Sequence, residues 1–412
     1  MRKFITIGSI SLFMGLGGVA PGFAQDTTVA QVSTVPADTV PFVVWLEGVK
    51  AEGLARGLKQ STLDAALDGV EPIERVLELD KRQPEFTRTF WGYLESFITQ
   101  DRIDRGKKLL VTHADLLERV ARQYGVQPRF LVSFWGMETN FGDYTGGFPV
   151  IGSVATLAYD DRRAAFFRAE LFHALTILDQ GHISVKDMNG SWAGAMGQVQ
   201  FMPSTFTGYA VDGNGDGHKD IWTNLPDIFS SAANYLSQIG WDDTETWGRE
   251  VQLPDGFDLD LVDLKAPKPI SEWQALGVRR ADGRDLPQAD IEGAIVLPAG
   301  VKGPAFLVYG NFNAIMTWNR SIYYALAVGY LSDRLDGKGP LVAQKPADDA
   351  PLYRKDVLDL QYLLTAAGFD TGKPDGMVGP MTRAAVKAYQ KANGLPPDGY
   401  PTQDLLSDLR KR

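Results

Sequence analysis

The segment Pro128–Gly142 constrains this chain more than any other. Pro128 suits the first turn of a helix, where a missing amide costs nothing and a preset φ helps. At 100° per residue, Phe130, Phe134, Met137 and Phe141 then fall on one side, with Trp135 further round. An aromatic stripe of that width has to be covered by other elements, so the segment predicts a buried helix at the centre of a helical core. Glu138 falls at the edge of the stripe. Burial there disfavours the charged carboxylate and favours a retained proton, which is what a general acid requires near neutral pH. The competing reading is a structural glutamate that pairs with a buried arginine or caps a helix; buried glutamates without partners are rare.

About fifty residues later comes Gly194-Ala195-Met196-Gly197-Gln198-Val199-Gln200-Phe201-Met202-Pro203-Ser204. Its small residues allow close backbone approach, and Gln200 is placed to orient hydroxyls or amides of a ligand. Around these two segments the texture is helical. From Pro41 to Tyr124, Phe42, Trp45, Leu46 and Val49 recur at helical spacing, and Ser61 is expected as an N-cap. A helix is expected over Ala114–Tyr124, closed by Gly125. Between Trp247 and Asn311, proline and glycine become frequent, and Ala294-Ile295-Val296-Leu297 and Ala305-Phe306-Leu307-Val308-Tyr309 read as strands. Helical pattern returns from Ala314 to Leu335. The run Asp160-Asp161-Arg162-Arg163 reads as a solvated charge cluster.

The chain has no cysteine, which removes disulfides, thiol nucleophiles and cysteine-ligated zinc, and leaves the core to carry stability. His113, His173, His182 and His218 lack paired metal-ligand spacing. The formal net charge of −10 argues against nucleic acid as a partner. Arg2 and Lys3, the short apolar run from Ile5 to Val19 and Gly22-Phe23-Ala24 read as an export signal cleaved after about Ala24, not as a membrane anchor. A periplasmic location is expected.

Glu138-Thr139-Asn140-Phe141-Gly142 together with the Gly194–Ser204 segment resembles the membrane-bound lytic transglycosylase B family, whose members cleave bacterial peptidoglycan; this chain is similar to a soluble member. The resemblance implies a mainly α (α+β) fold: a lysozyme-like helical catalytic core with a small β insertion. Residues 352–410 carry Leu360-Gln361, Pro374-Asp375-Gly376, Tyr389-Gln390 and Asp398-Gly399, and are similar to a three-helix peptidoglycan-binding domain. The expected organisation is a signal peptide (1–24), a leader (25–40), a catalytic domain (41–336, with its β-rich insertion at about 247–311), a linker (337–351) and the wall-binding module (352–410).

The resemblance also assigns residues. Glu138 is implied as acid and then base, and Ser191, Gln200, Tyr235, Trp318, Asn319 and Tyr324 as substrate contacts along a glycan groove. Trp318 stands where the family carries tyrosine, which keeps sugar stacking and takes away the hydroxyl. Helix-face spacing turns Tyr323, rather than Tyr324, inward. Most glycosidases use a second carboxylate. Asp143, Asp160 and Asp161 are nearest in sequence, but none lies in a comparable motif, and a single acid suits substrate-assisted chemistry. In that scheme the C6 hydroxyl of N-acetylmuramic acid attacks its own anomeric carbon, giving a 1,6-anhydro sugar. No cofactor is needed.

Asp212-Gly213-Asn214-Gly215-Asp216-Gly217-His218 matches the front of a calcium-binding EF-hand loop, with oxygen ligands at positions one, three and five and the backbone carbonyl of His218 at seven. Position twelve is Thr223, where a bidentate glutamate is expected. The family resemblance points instead to Asp227 as the closing acid. A structural Ca²⁺ is the expectation; an Asx-rich turn that binds nothing is the alternative.

Glycan strands of peptidoglycan are the expected partner, with other cell-wall enzymes as further candidates. Two other functions compete with transglycosylation. A muramidase would let water attack and would need a second base. A wall-binding scaffold would have lost activity while keeping the module.

Overall fold

The computed structural model describes residues 40–81, 88–347 and 349–411. The expected export signal and the leader up to residue 39 lie outside them. The described residues fall into two compact units. One joins residues 40–81 with Phe134–Tyr235; the other joins residues 88–133 with the described residues from Leu236 onward. The Pro128–Thr139 helix begins at the expected proline. Among the described residues, no helix is long and apolar enough to cross a membrane.

The first unit is helical. Its centre is Val150–Tyr159, apolar around its whole circumference and buried from Val150 to Ala158. A helix of that composition survives only inside a protein, and here it packs on Ala164–Asp179, whose Phe167, Leu171, Leu175 and Ile177 are buried. The expected cap at Ser61 is two residues too late. The helix runs Gln60–Leu67 with Lys59 at its cap, and Asp179 takes over the capping role by accepting from the Lys59 amide (3.1 Å) and Thr62 Oγ1 (2.7 Å). Asp160–Arg163 is likewise more than a solvated cluster. Arg162 and Arg163 both pair with Asp80, a buried carboxylate on the Glu74–Lys81 helix. Sequence spacing hides this pairing because the partners lie some eighty residues apart.

The second unit opens with helices Phe90–Phe97 and Gln100–Thr112, capped by Thr89 and Thr99, whose hydroxyls accept the Gly92 and Arg102 amides. Ala114–Tyr124 follows and ends, as its sequence predicts, on left-handed Gly125. The β-rich region forms one antiparallel sheet. Numbering strands along the chain, β1 (Phe148–Pro149) and β2 (Asn189–Gly190) make a small ladder in the first unit. β3 (Gly248–Gln252), β4 (Lys268–Pro269), β5 (Arg279–Arg280), β6 (Glu292–Val296) and β7 (Ala305–Val308) make the sheet, in the order β4-β6-β7-β3-β5. β7 is central and buried at every position, which explains its uninterrupted Ala-Phe-Leu-Val run. The edges β4 and β5 are two residues long, a length that gives a second chain little to pair with. Val251, Ile270, Trp273, Ile295 and Leu307 give this region its own core.

The pattern read as one helix over Ala314–Leu335 is two: Gly310–Trp318 and Ile322–Leu335. Asn319 Oδ1 accepts the Ser321 amide (3.2 Å), and Ser321 then caps the second helix through the Tyr324 amide (3.3 Å). Two local side chains able to compete for backbone amides are enough to break the run.

The tail forms three helices, Arg354–Ala366, Pro380–Ala392 and Gln403–Arg410, around Val357, Leu360, Leu364, Val386, Tyr389 and Leu406. Two glutamines do equivalent work. Gln361 Oε1 accepts the Asp375 and Gly376 amides, and Gln390 Oε1 accepts the Gly399 amide, so each Pro-Asp-Gly turn is clipped to a helix. The preceding linker is strapped down. Glu250 accepts the Val342 and Ala343 amides (2.7 Å each), Lys345 pairs with Glu95 (2.8 Å) and Asp349 accepts from Thr89 (2.6 Å). Within the same unit the module also touches the β region: Lys391 pairs with Asp260 (2.8 Å), Lys387 donates to Leu259 O (3.0 Å) and Asp398 accepts the Val301 amide (2.9 Å).

Candidate active site

The Pro128–Thr139 helix buries Phe130, Phe134, Trp135 and Met137, and Glu138 is buried with them at 5 % exposure. Glu138, which the helical wheel puts at the edge of the stripe, is thus as buried as the stripe itself. Beyond Thr139 the chain turns left-handed at three successive residues: Asn140 (φ 53°), Phe141 (φ 62°) and Gly142 (φ 84°). Such a run is costly for residues with a Cβ and persists only where its surroundings enforce it. Phe141 is held by its amide on Trp135 O (3.1 Å) and by edge-on contact with the Trp135 ring (centroids 5.7 Å apart).

Four carboxylates of the first unit are buried among the described residues: Asp80, Glu138, Glu170 and Asp227. Asp80 is taken by two arginines. Glu170 accepts from the Ser204 amide (2.9 Å) and hydroxyl (2.6 Å), anchoring the start of the Pro203–Tyr209 helix. Burial pushes the Glu170 carboxyl above its ordinary range, against the opposing pull of the Ser204 hydrogen bonds. Asp227 accepts the Gly213 (2.8 Å) and Asp220 (2.6 Å) amides. Of the carboxylates weighed from sequence as a second catalytic group, Asp143 accepts from Asn140 Nδ2 (2.9 Å), and Asp160 and Asp161 sit at the turn held by Asp80.

The Gly194–Ser204 segment folds as a tight double turn. Met196 bridges antiparallel to Gly190 on one side and to Phe201 on the other. Ser191 Oγ accepts the Ala195 amide (3.0 Å) and keeps its own proton to donate. Gln200 has a left-handed backbone (φ 50°), and its Nε2 donates to Thr145 O and Gly197 O (2.9 Å each). Its amide nitrogen thus ties this turn to the loop after Glu138. Tyr235 is half-buried, its ring against Phe201 (5.6 Å) and Tyr209 (4.6 Å).

Two residues that sequence reading missed organise this region. Glu170 is one. Gln198 is the other: its Oε1 accepts from Trp135 Nε1 (2.7 Å), its Nε2 donates to Trp222 O (2.8 Å), and its backbone carbonyl accepts from Thr139 Oγ1 (2.8 Å). Gly142 has to be glycine here, because a Cβ would lie 2.3 Å from Gln198 Oε1. Gln198 lies within the Gly194–Ser204 segment, but nothing in its spacing distinguishes it from a solvated turn residue.

In the second unit, Trp318 ends its helix half-buried, Asn319 makes the helix break, and Tyr324 is buried at 3 % exposure. The expected inward turn of Tyr323 is corrected. Tyr324 is the more enclosed of the pair, while Tyr323 packs edge-on against Phe90 and donates to Pro298 O (3.1 Å). The cause is the helix start at Ile322, which shifts the wheel from the longer helix assumed.

In the acidic loop, Asp212 accepts the Gly215 and Gly217 amides (2.7 Å each), and Asp216 accepts the His218 amide (2.8 Å) and Asn214 Nδ2 (2.9 Å). The Gly217 amide, first among several, holds Asp212 below the usual carboxylate range, and the Asn214 side chain does the same for Asp216. Both are ionised at physiological pH, and both raise the buried Asp227 further after its desolvation. Oxygen donors at half-buried Asp212 and exposed Asn214 and Asp216, with left-handed Gly217, suit a hard divalent cation. Asp227, expected as the closing ligand, accepts one loop amide on each of its two oxygens. No cluster of three or more His, Asp or Glu side chains converges in metal-binding geometry among the described residues.

Residues 41–333 match the transglycosylase SLT domain, and residues 353–409 a putative peptidoglycan binding domain. The membrane-bound lytic murein transglycosylase B of Escherichia coli is 32 % identical over 292 residues, spanning 67 % of this chain and 78 % of that protein. SltB3 of Pseudomonas aeruginosa, solved in complex with NAG-NAM-pentapeptide, superposes with a TM-score of 0.87 at 46 % identity, over 90 % of this chain and 99 % of that one. The Escherichia coli lytic transglycosylase Slt35 in complex with calcium gives 0.60 at 28 % identity, over 72 % and 93 %. These matches extend across the buried acid, the double turn and the helical tail: the chain belongs to the lytic transglycosylases of the transglycosylase SLT domain family, enzymes that cleave peptidoglycan, and carries a peptidoglycan-binding domain at its C-terminal end.

Proposed function

We propose that Glu138 cleaves the β-1,4 bond between N-acetylmuramic acid and N-acetylglucosamine as the sole acid and base, releasing a 1,6-anhydro-muramic end. The protonated carboxyl gives its proton to the glycosidic oxygen as the bond from that oxygen to the anomeric carbon breaks. The 2-acetamido group of the muramic acid stabilises the positive anomeric carbon. The C6 hydroxyl of the same sugar then attacks that carbon and returns its proton to Glu138, so the acid is regenerated and no water is consumed. An intramolecular nucleophile supplies the high effective concentration that a bound water would otherwise provide.

One observation carries this reading. Glu138 is buried at 5 % exposure with Phe130, Phe134, Trp135 and Met137 of its own helix, the enclosed setting in which a general acid can hold its proton for the leaving oxygen. The family resemblance supports Ser191, Gln200 and Tyr235 of the first unit as sugar contacts, and likewise Trp318, Asn319 and Tyr324 of the second unit. The test is Glu138→Gln, expected to lose roughly 10²–10⁴-fold in turnover while still sedimenting with the wall through its C-terminal module. Unchanged turnover would remove Glu138 from the mechanism.

The same reading places the mature protein in the periplasm after cleavage near Ala24, with glycan strands, and other wall enzymes, as its partners. Catalysis needs no cofactor. Asp212, Asn214, Asp216 and the carbonyl of His218 would hold a structural Ca²⁺, with Asp227 fixing the loop beneath them; the cation would neutralise the crowded carboxylates and take no part in the chemistry.

A further inference from the structure

We infer that Gln198 is a positioning residue for the acid: it clamps the last turn of the catalytic helix on both sides of Glu138. The inference rests on the acid role proposed above. Glu138 lies three residues after Trp135 and one before Thr139, and both neighbours are tied to Gln198, one through its side chain and one through its backbone. Trp135 and Thr139 are four residues apart and share a helix face; Glu138 projects beside that face.

The clamp acts where a helix is least able to hold itself. The last carbonyls of a helix have no following turn to bond them, and the final turn frays unless something outside fixes it. Here the chain leaves the helix through three left-handed residues, so the usual continuation is absent. Thr139 Oγ1 supplies part of the replacement by accepting the Gly142 amide (3.0 Å) while donating to Gln198 O. Gln198 is itself anchored from behind, its amide on Ile221 O (2.8 Å) and its Nε2 on Trp222 O (2.8 Å). Its amide orientation is unambiguous, since an indole N–H can only donate and a backbone carbonyl can only accept. The left-handed Gly142 leaves the space Oε1 occupies.

A general acid has to reach the leaving oxygen at hydrogen-bonding distance, and a displacement of about 1 Å can cost roughly 10²-fold in rate. The experiment is Gln198→Met, which keeps the side-chain length and removes both polar contacts. The expected result is a kcat lower by roughly 10- to 100-fold with KM within about twofold, unchanged product identity, and movement of the Trp135 indole N–H resonance in a ¹⁵N spectrum. Thr139→Val is expected to reproduce the kcat loss, and Thr139→Ser, which restores the hydroxyl, to recover most of it. Should Gln198→Met fail to fold, the Thr139 pair decides. A kcat within twofold of wild type in both Gln198→Met and Thr139→Val, with the indole resonance shifted, would overturn the positioning role and leave Gln198 a structural residue. Glu138→Gln measured alongside separates the two claims: if it retains turnover, the acid assignment fails and the clamp falls with it.

Discussion

Gly142→Ala is the substitution whose consequences the structure defines most closely. At φ 84° the alanine would occupy a left-handed conformation that costs about 1–2 kcal/mol. Its Cβ would also lie 2.3 Å from Gln198 Oε1 and 2.8 Å from Cδ. The end of a free glutamine could swing away cheaply, but this one is held by Trp135 Nε1 and Trp222 O. Displacing it forfeits two hydrogen bonds, together about 1–3 kcal/mol. The sum is about 3 kcal/mol, which for a unit of this size lowers Tm by roughly 6–12 °C. Gly147→Ala is the control, because its Cβ would meet nothing within 4 Å. Thermal unfolding followed by tryptophan fluorescence, with turnover of purified peptidoglycan measured in parallel, is the assay. Gly142→Ala should lose both stability and kcat while Gly147→Ala loses neither. Equal behaviour of the two variants would refute the account of the Gly142–Gln198 contact.

Two further predictions follow from the buried carboxylates and the acidic loop. The Glu170 carboxyl is raised above 4.5 by burial, so its stabilising contribution is full below that value and is lost as pH rises through the higher folded value. Glu170→Gln removes this titration. The stability of wild type relative to the variant should therefore fall as pH rises above about 4.5, and a difference in Tm that stays constant from acid to neutral pH would contradict the assignment. Ca²⁺ at about a hundred times its Kd should add about 3 kcal/mol of stability, reversed by chelator and absent in Asp212→Ala. A Tm insensitive to Ca²⁺ would reduce the loop to an acidic turn.

How much of this was legible in the sequence depended on the range of the interaction. Pro128 and Gly125 mark helix ends through their own backbone chemistry, and both marks hold. The apolar run Ala305–Val308 proved to be the central strand of its sheet, since only a strand covered on both faces reads so continuously. Ser61 misled because Asp179 from a distant helix supplies the cap, and Arg162 and Arg163 misled because Asp80 is a distant partner. The Tyr323/Tyr324 assignment failed because the run read as one helix breaks after Trp318 and restarts at Ile322. For the candidate site, motifs single out Glu138 and Gln200, but the commitments of Gln198, Glu170 and Asp227 arise from side chain-to-backbone bonds that no periodicity encodes.

Mass spectrometry of the sugars released from purified peptidoglycan, before and after borohydride, tests the central claim most directly. Intramolecular attack through Glu138 predicts products one water lighter than hydrolysis would give and inert to reduction. Reducible muramic ends would mean that water reaches the anomeric carbon, and the single-acid, water-free mechanism would be contradicted.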